Sequence, residues 1–191
     1  MIKKIYILLE LFYTYLHIFI YKIIYINQVS FYGITKLSFG FHLKIYGRKS
    51  KFISSNLKTR ENVSIRVENG FLQIGNNCFI NQGCSINCLK KIIIGENTLL
   101  GENVQLYDHN HQYRNLKQPI YTQGFTYGKI NIGNNCWIGS NVVILKNVHI
   151  GDNVIIGAGC IIHKDIPSNT IIYNKQNLIT QEIQNENCSC G

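Results

Sequence analysis

The sequence predicts a mainly β protein built as a triangular parallel β-helix, and three observations carry this prediction. An aliphatic residue recurs every six positions, Asn or Gly follows it three positions later, and the composition suits strands and turns. Of the 191 residues, 33 are Ile and 23 are Asn, whereas Ala occurs once. Since Ala favours helices and Ile favours strands, most of the chain should be extended. With 46% hydrophobic and 15% charged residues, it should also bury a sizeable core.

The six-residue repeat defines the solenoid. It is unbroken at Ile132, Ile138, Ile144, Ile150, Ile156 and Ile162, and it occurs upstream at Ile74, Ile80, Ile86, Ile94, Leu100 and Leu106. Asn and Gly tolerate a left-handed backbone, so the chain should turn after each unit and close a coil with every third turn. The fourth position after each aliphatic residue is small or medium-sized and apolar, which makes four cysteines core residues: Cys78, Cys84, Cys136 and Cys160.

The ends of the chain should differ from the repeat. Residues 1–30 are predicted to form an apolar helix with a polar stripe that includes Glu10 and His17. This helix either lies in a membrane interface or packs on the prism or on a neighbouring subunit. Residues 31–73 are expected to form irregular capping coils, 74–172 the β-helix, and 173–191 a polar C-terminal tail.

The register fails between Leu106 and Ile132, which leaves an excursion loop at 107–131. An uninterrupted solenoid has no concave site of its own, so this loop is the predicted place for one. It contains Asp108, His109 and His111. Histidine suits a general base at neutral pH, where an alcohol is almost entirely un-ionised.

Charge and cysteine content bound the cellular role. The net charge of +9 lies in residues 1–60, which hold ten Lys or Arg against one acidic residue. Because the basic excess is outside the main domain, nucleic acid is not an expected partner. The seven cysteines form no CxxC pair and no zinc spacing, which indicates reduced thiols in a cytoplasmic protein. No signal cleavage site is evident, so we expect the N-terminus to be retained, either free or at the inner membrane face.

The hexapeptide repeat, the run Ile132–Ile144 and the ending Ile156–Pro167 resemble the left-handed β-helix acyltransferases, nearest to the sugar and capsular polysaccharide O-acetyltransferases. The resemblance covers about residues 70–172. It implies an acetyl-CoA donor, no metal, a homotrimer and a sugar acceptor in a surface polysaccharide or its lipid-linked precursor. Direct transfer to the sugar hydroxyl would need a base but no covalent enzyme intermediate.

The resemblance also assigns roles to particular residues. His111, five positions after Leu106, is in the phase of the family's catalytic histidine and is the predicted base, with His109 as the alternative. Substrate binding falls to Asn81, Asp108, His109 and Trp137, of which Trp137 would line a groove or form a subunit contact. The cofactor-binding residues are predicted to be Gly139, Ser140, Ala158, His163 and Lys164.

Four other interpretations stay open at this point. The acceptor could be an amine, as in an amino sugar or antibiotic. His109 and His111 could belong to a carbonic-anhydrase-like metal site with His149 or His163 as third ligand. Cys136 or Cys160 could form an acyl-enzyme, although both face inward. The protein could also be a non-catalytic scaffold.

Overall fold

A computed structural model describes residues 2–175 and 179–181, in which one α-helix precedes a series of short strands. The helix, α1, spans Ile2–Ile24. The strands in chain order are β1 Val29–Tyr32, β2 His42–Tyr46, β3 Lys51–Ser55, β4 Lys58–Thr59, β5 Ser64–Glu68, β6 Phe71–Asn76, β7 Phe79–Ile80, β8 Ser85–Cys88, β9 Lys91–Ile94, β10 Leu99–Leu100, β11 Gln105–Tyr107, β12 His109–His111, β13 Phe125–Tyr127, β14 Lys129–Ile132, β15 Trp137–Ile138, β16 Val143–Ile144, β17 Val148–Ile150, β18 Ile155–Ile156, β19 Ile161–Ile162 and β20 Ile171–Ile172.

Three parallel sheets form the faces of a prism. Face A has the order β1-β3-β6-β9-β14-β17, face B β4-β7-β10-β15-β18-β20, and face C β2-β5-β8-β11-β16-β19. From β3 to β19 the solenoid strands visit A, B and C in turn, so each full coil contributes one strand to each face. In the two end coils, isolated bridges at Lys36 and Ile166 take the place of a strand on faces B and A. We name the turns between faces corners AB, BC and CA. The predicted mainly β solenoid with an N-terminal helix and a long excursion is confirmed.

Asparagine makes the corners, as the repeat predicts. Every non-glycine residue with positive φ in the described part of the chain is Asn, for example Asn97 at 54° and Asn141 at 59°. The short amide side chain lowers the cost of this conformation. The amides also connect coils, since Asn135 Nδ2 donates to Asn153 Oδ1 at 2.8 Å. Asp165, which lies at the equivalent position of its own repeat, does not have a positive φ.

The predicted aliphatic positions fill the interior, where Ile80, Ile138 and Ile144 are fully buried. The four cysteines assigned to the core are also buried. Burial raises the pKa of the Cys78 and Cys84 thiols to about 11. Such thiols stay protonated at neutral pH. Burial also raises the pKa of Cys136, one of the two cysteines considered as a nucleophile, and the other, Cys160, is enclosed in the core.

Parallel pairing begins earlier than the repeat suggested. Residues 31–73, expected to form irregular capping coils, contain strands that pair in parallel with the strands after them, starting with β1 on β3. Helix α1 covers the first coil, where Leu37 and Phe41 are buried. Of the predicted tail at 173–191, residues 176–178 and 182–191 lie outside the described residues.

Candidate active site

The excursion is an antiparallel hairpin inserted at corner CA. Strand β12 pairs with β13, which places His109 opposite Tyr127 and His111 opposite Phe125. The solenoid continues across the insertion, because Leu106 pairs directly with Ile144. These partners are 38 positions apart, against 18 for Ile144 and Ile162, so the excursion adds 20 residues to one coil.

Asp108 and His109 form a pair at the base of this hairpin. His109 Nδ1 lies 3.2 Å from Asp108 Oδ1, and the His109 side chain is 15% exposed. The Asp108 side chain is fully buried and accepts three backbone N–H groups, from Leu89 at 2.8 Å, Lys90 at 2.7 Å and Lys91 at 2.9 Å. A carboxylate held in this way fixes the ring orientation of the histidine beside it and favours a proton on Nδ1.

This burial corrects the assignment of Asp108 to acceptor binding. Its oxygens are enclosed and are occupied by the backbone of residues 89–91 and by His109. No oxygen of Asp108 is exposed to a substrate. The carboxylate instead anchors the hairpin to the coil beneath it and orients His109.

Aromatic rings surround the two histidines on one face of the hairpin. The His109 ring lies edge-on to Phe125 with 5.1 Å between centroids, and the His111 ring lies 4.6 Å from the same Phe125. His111 is exposed and has no carboxylate partner in the described structure. The hairpin thus brings both predicted histidines together, but only His109 is oriented by a buried charge.

The hairpin borders a cleft of about 630 Å³, which residues 110–115 line with Gln123, Thr126 and Lys146. Its lining combines four amides and two hydroxyls with the imidazole of His111 and two cations, Arg114 and Lys146. A smaller hollow of about 260 Å³ lies between Phe125, Tyr127 and the corner residues Glu68, Asn69 and Leu89. Both are suited in chemistry to a polyhydroxylated ligand.

The other predicted residues occupy two corners and one face. Asn81, Ser140 and Ala158 lie at corner BC, and Asn81 Oδ1 accepts the N–H of Gln82. His163 and Lys164 lie at corner CA, the corner from which the hairpin leaves, and both are exposed. One chain therefore separates the predicted cofactor residues into two groups, one on either side of face C.

Gly139 also needs a correction. It is buried, and a Cβ built on it would lie 2.7 Å from both the Ala158 nitrogen and the Ile156 oxygen. The missing side chain thus permits adjacent coils to stack, and it does not open the surface to a cofactor. Ala158, on the next coil, is exposed and stays a predicted cofactor-binding residue.

Trp137 points outward from face B and is 55% exposed. Its strand register places it between Leu99 and Ile155, and the row continues to Phe79 and Ile171. These residues form an outward apolar row along the prism. Such a row suits the subunit-contact interpretation of Trp137 better than an isolated groove wall.

Sequence reasoning missed two contributors to the site. Phe125 contacts both histidine rings, and Lys146 Nζ donates to Thr126 Oγ1 at 2.5 Å, tying the hairpin to the following coil. The alternation of Phe125 and Tyr127 before Gly128 was a usable signal for a strand facing the histidines. In the described residues, no three His, Cys, Asp or Glu side chains are grouped so as to hold a metal ion.

The sequence and the fold are similar to those of known acyltransferases. A family model described as bacterial transferase hexapeptide (six repeats) matches residues 129–164. A putative acetyltransferase of Dictyostelium discoideum is 36% identical over 137 residues, covering 71% of this chain and 70% of that protein. The galactoside O-acetyltransferase of Escherichia coli K12 is 38% identical over 101 residues, covering 52% and 48%.

A solved structure extends the similarity. The maltose O-acetyltransferase from Clostridium difficile 630 superposes with a TM-score of 0.53 at 28% identity, covering 81% of this chain and 71% of that one. Two of the sequence matches span only about half of the relative, namely 48% of the E. coli enzyme and 55% of a putative acetyltransferase of Schizosaccharomyces pombe.

A parallel β-helix of six-residue units with one inserted hairpin defines the protein as a β-solenoid. By its repeat, its fold and its match to the Dictyostelium protein, the chain belongs to the hexapeptide-repeat acyltransferase family.

Proposed function

We propose that this protein is an acetyl-CoA-dependent O-acetyltransferase that acts on a sugar hydroxyl of a surface polysaccharide or its lipid-linked precursor. The observation that carries the proposal is the Asp108–His109 pair, whose histidine lies on the same hairpin strand as His111, the histidine that lines the polar cleft. The galactoside and maltose O-acetyltransferases among its relatives support a sugar hydroxyl as the acceptor.

The oriented imidazole supplies the base. With Nδ1 toward Asp108, His109 presents Nε2 as its free acceptor, which would take the hydroxyl proton as the acceptor oxygen attacks. Asp108 stabilises the imidazolium that forms, and the same imidazolium can then return a proton to the leaving thiolate. Acetyl-CoA would supply the activated acetyl group. No side chain of this protein needs to form a covalent bond.

His109 is a stronger candidate than the His111 predicted from the repeat phase. Both rings contact Phe125, but only that of His109 is held by a buried carboxylate, whereas His111 is exposed and lines the cleft. A preoriented base loses less rotational freedom in the transition state. We assign His111 to acceptor binding.

The exposed predicted cofactor residues fit a long, phosphorylated acyl carrier. Ser140 and Ala158 offer a small polar corner, and Lys164 offers a cation for phosphate. Because Lys164 lies at a different corner from the first two, one prism holds only part of this set. This separation supports a site shared by two copies, and hence the homotrimer that the family resemblance implies.

The function can be tested with purified protein, acetyl-CoA and a panel of methyl galactoside, maltose, glucosamine and the de-O-acetylated surface glycan of the source cell. Release of the coenzyme A thiol gives the rate, and NMR gives the product. We expect alkali-labile acetyl esters and their loss in His109→Ala. His149→Ala, on the outer side of face A, is the matched control. Alkali-stable amides would contradict O-acetylation, and transfer to none of the acceptors would contradict the sugar class.

The assembly has its own test. Light scattering after size exclusion should give the mass of three chains, and Trp137→Ser should lower it by removing the centre of the apolar row on face B. A single-chain mass with full turnover would contradict a shared site.

A further inference from the structure

Helix α1 packs with its polar side toward the solenoid. The buried Thr14 hydroxyl accepts the N–H of Leu37 at 3.0 Å and donates to the Leu37 carbonyl at 2.9 Å. Glu10 is also buried, and its carboxylate lies 2.7 Å from Lys36 Nζ while accepting the Ser38 hydroxyl. These contacts fix the helix on the first coil through hydrogen bonds.

Tyrosines extend the same contact toward the end of the helix. Tyr21 OH donates to the Phe41 carbonyl at 3.3 Å and accepts the Leu43 N–H at 3.2 Å. The Tyr13 ring lies 4.9 Å from Phe39, between centroids. The polar side of the helix, which would face water in an ordinary surface helix, therefore makes its hydrogen bonds with the first coil.

The opposite side of the helix is an exposed apolar ridge. Residues spaced by three or four positions project from it with more than half of their surface exposed: Leu8, Phe12, Tyr15, Phe19 and Ile23 at 66%, 68%, 60%, 64% and 55%. The only Asp, Glu, Lys or Arg between Ile5 and Tyr21 is the buried Glu10. A soluble surface rarely leaves so long an apolar strip open to water.

We propose that the ridge of α1 docks on a lipid bilayer, with the helix lying in the plane of the headgroups. The helix is long and apolar enough to cross a membrane, with a mean hydropathy of 1.6 over Lys4–Ile24. Spanning would, however, remove Thr14 and Glu10 from their partners and place a carboxylate in hydrocarbon. In-plane docking keeps every contact with the first coil and buries only the ridge.

The surrounding charge selects a bilayer over a second copy of the chain. Lys4 and Lys22 are exposed at the two ends of the ridge. The first coils add further exposed cations, Lys44, Arg48, Lys49, Lys51 and Lys58. The single acidic residue of this region, Glu10, is already paired with Lys36. Anionic lipid headgroups complement this field, whereas two copies meeting here would repel each other.

Docking would also set the orientation of the molecule. The helix covers the first coil, and the hairpin leaves after the strand β11, which is the fourth in order on face C from the helix end. Three strand spacings separate the two coils, about 14 Å along the prism. The solenoid would then stand end-on, with its candidate site held above the lipid surface. Membrane docking is independent of the chemistry proposed above.

Vesicle flotation of the full chain tests the proposal, with vesicles of phosphatidylcholine and phosphatidylglycerol at 3:1 and vesicles of phosphatidylcholine alone. We expect the protein to float with both and more strongly with the anionic ones, an excess that high salt removes. The double variant Phe12→Gln/Phe19→Gln should lower the bound fraction by about tenfold or more, because two ridge side chains lose their burial in lipid.

The matched control is Leu116→Gln/Tyr121→Gln, which changes two apolar residues of the hairpin loop that are 96% and 80% exposed. It should float like the unmodified chain, and circular dichroism should be the same for all three proteins. Failure of the unmodified chain to float, or equal flotation of the ridge variant, would overturn the proposal. A change in oligomeric mass without vesicle binding would also overturn it, by assigning the ridge to contacts between copies.

Discussion

The carboxylate of Asp108 lies 3.2 Å from Nδ1 of His109 while accepting three backbone N–H groups from the preceding coil. The two adjacent residues thus have different surroundings. Asp108 belongs to the rigid solenoid, and His109 stands at its surface.

This pair predicts a graded loss of activity. His109→Ala should lower kcat by roughly 10²–10⁴-fold with little effect on cofactor affinity, because only the proton acceptor is removed. His111→Ala should act mainly on the acceptor KM. Steady-state kinetics with both substrates varied would check this, and the reverse ranking would return the base assignment to His111.

Asp108→Asn tests the positioning role. The amide keeps the shape of the carboxylate but removes the charge that stabilises the imidazolium, so kcat should fall and the pH profile should move. A fall in activity that follows only a lower Tm, with an unchanged pH profile, would indicate a purely structural Asp108.

Gly139→Ala should destabilise the protein by about 1–3 kcal/mol, because its Cβ would collide with the backbone of the next coil. Gly124→Ala is the control for loss of glycine without a collision: a Cβ there meets nothing within 4 Å, and its only cost comes from a φ of 78°, a strain that Gly139 does not share. Urea unfolding of both variants measures the difference. A Gly139 variant of normal stability with weakened cofactor binding would restore the cofactor assignment.

The buried thiols should not react in the native state. With a pKa of about 11, Cys78 has about one thiolate in a thousand molecules at pH 8. Cys188 and Cys190 lie outside the described residues, so the measurement uses the Cys188→Ser/Cys190→Ser chain. We expect no reaction with a disulfide reagent until urea unfolds the protein and exposes five thiols. Fast labelling with loss of turnover would revive the nucleophile hypothesis.

The ion pair beneath α1 predicts an acid-sensitive helix. Burial raises the pKa of Glu10, but hydrogen bonds from Lys36 and Ser38 outweigh it and leave the pKa below its ordinary 4.5. Because the pKa of Glu10 is lower in the folded than in the unfolded chain, its ionisation stabilises the fold at a pH above the unfolded-state pKa. This stabilisation is lost as the pH falls through the folded-state pKa. Between pH 7 and pH 3, the melting temperature should therefore fall more steeply for the unmodified chain than for Glu10→Gln. Parallel curves of melting temperature against pH would contradict this.

The solenoid could be predicted because its interior demands one aliphatic residue per turn and its corners demand Asn or Gly. The burial of Asp108 could not be predicted, since its hydrogen-bond partners at Leu89 to Lys91 lie about one coil earlier in the chain. Burial of an acid beside a mostly enclosed histidine has no local sequence pattern. The direction of α1 was equally hidden, because a stripe with Glu10 and Thr14 ordinarily faces water.

Leu106 pairs directly with Ile144 across the hairpin. Folding stability and acceptor preference therefore depend on largely different residues. Stacking of the coils depends on the solenoid strands and on Asp108 at the base of the insertion, whereas the cleft is lined almost entirely by residues 110–126. Substitutions, deletions or extensions between Gln112 and Gln123 should therefore leave the strand register intact. Acceptor preference can accordingly diverge among descendants of this scaffold without a matching loss of folding stability, and a library confined to this segment should yield mostly folded proteins.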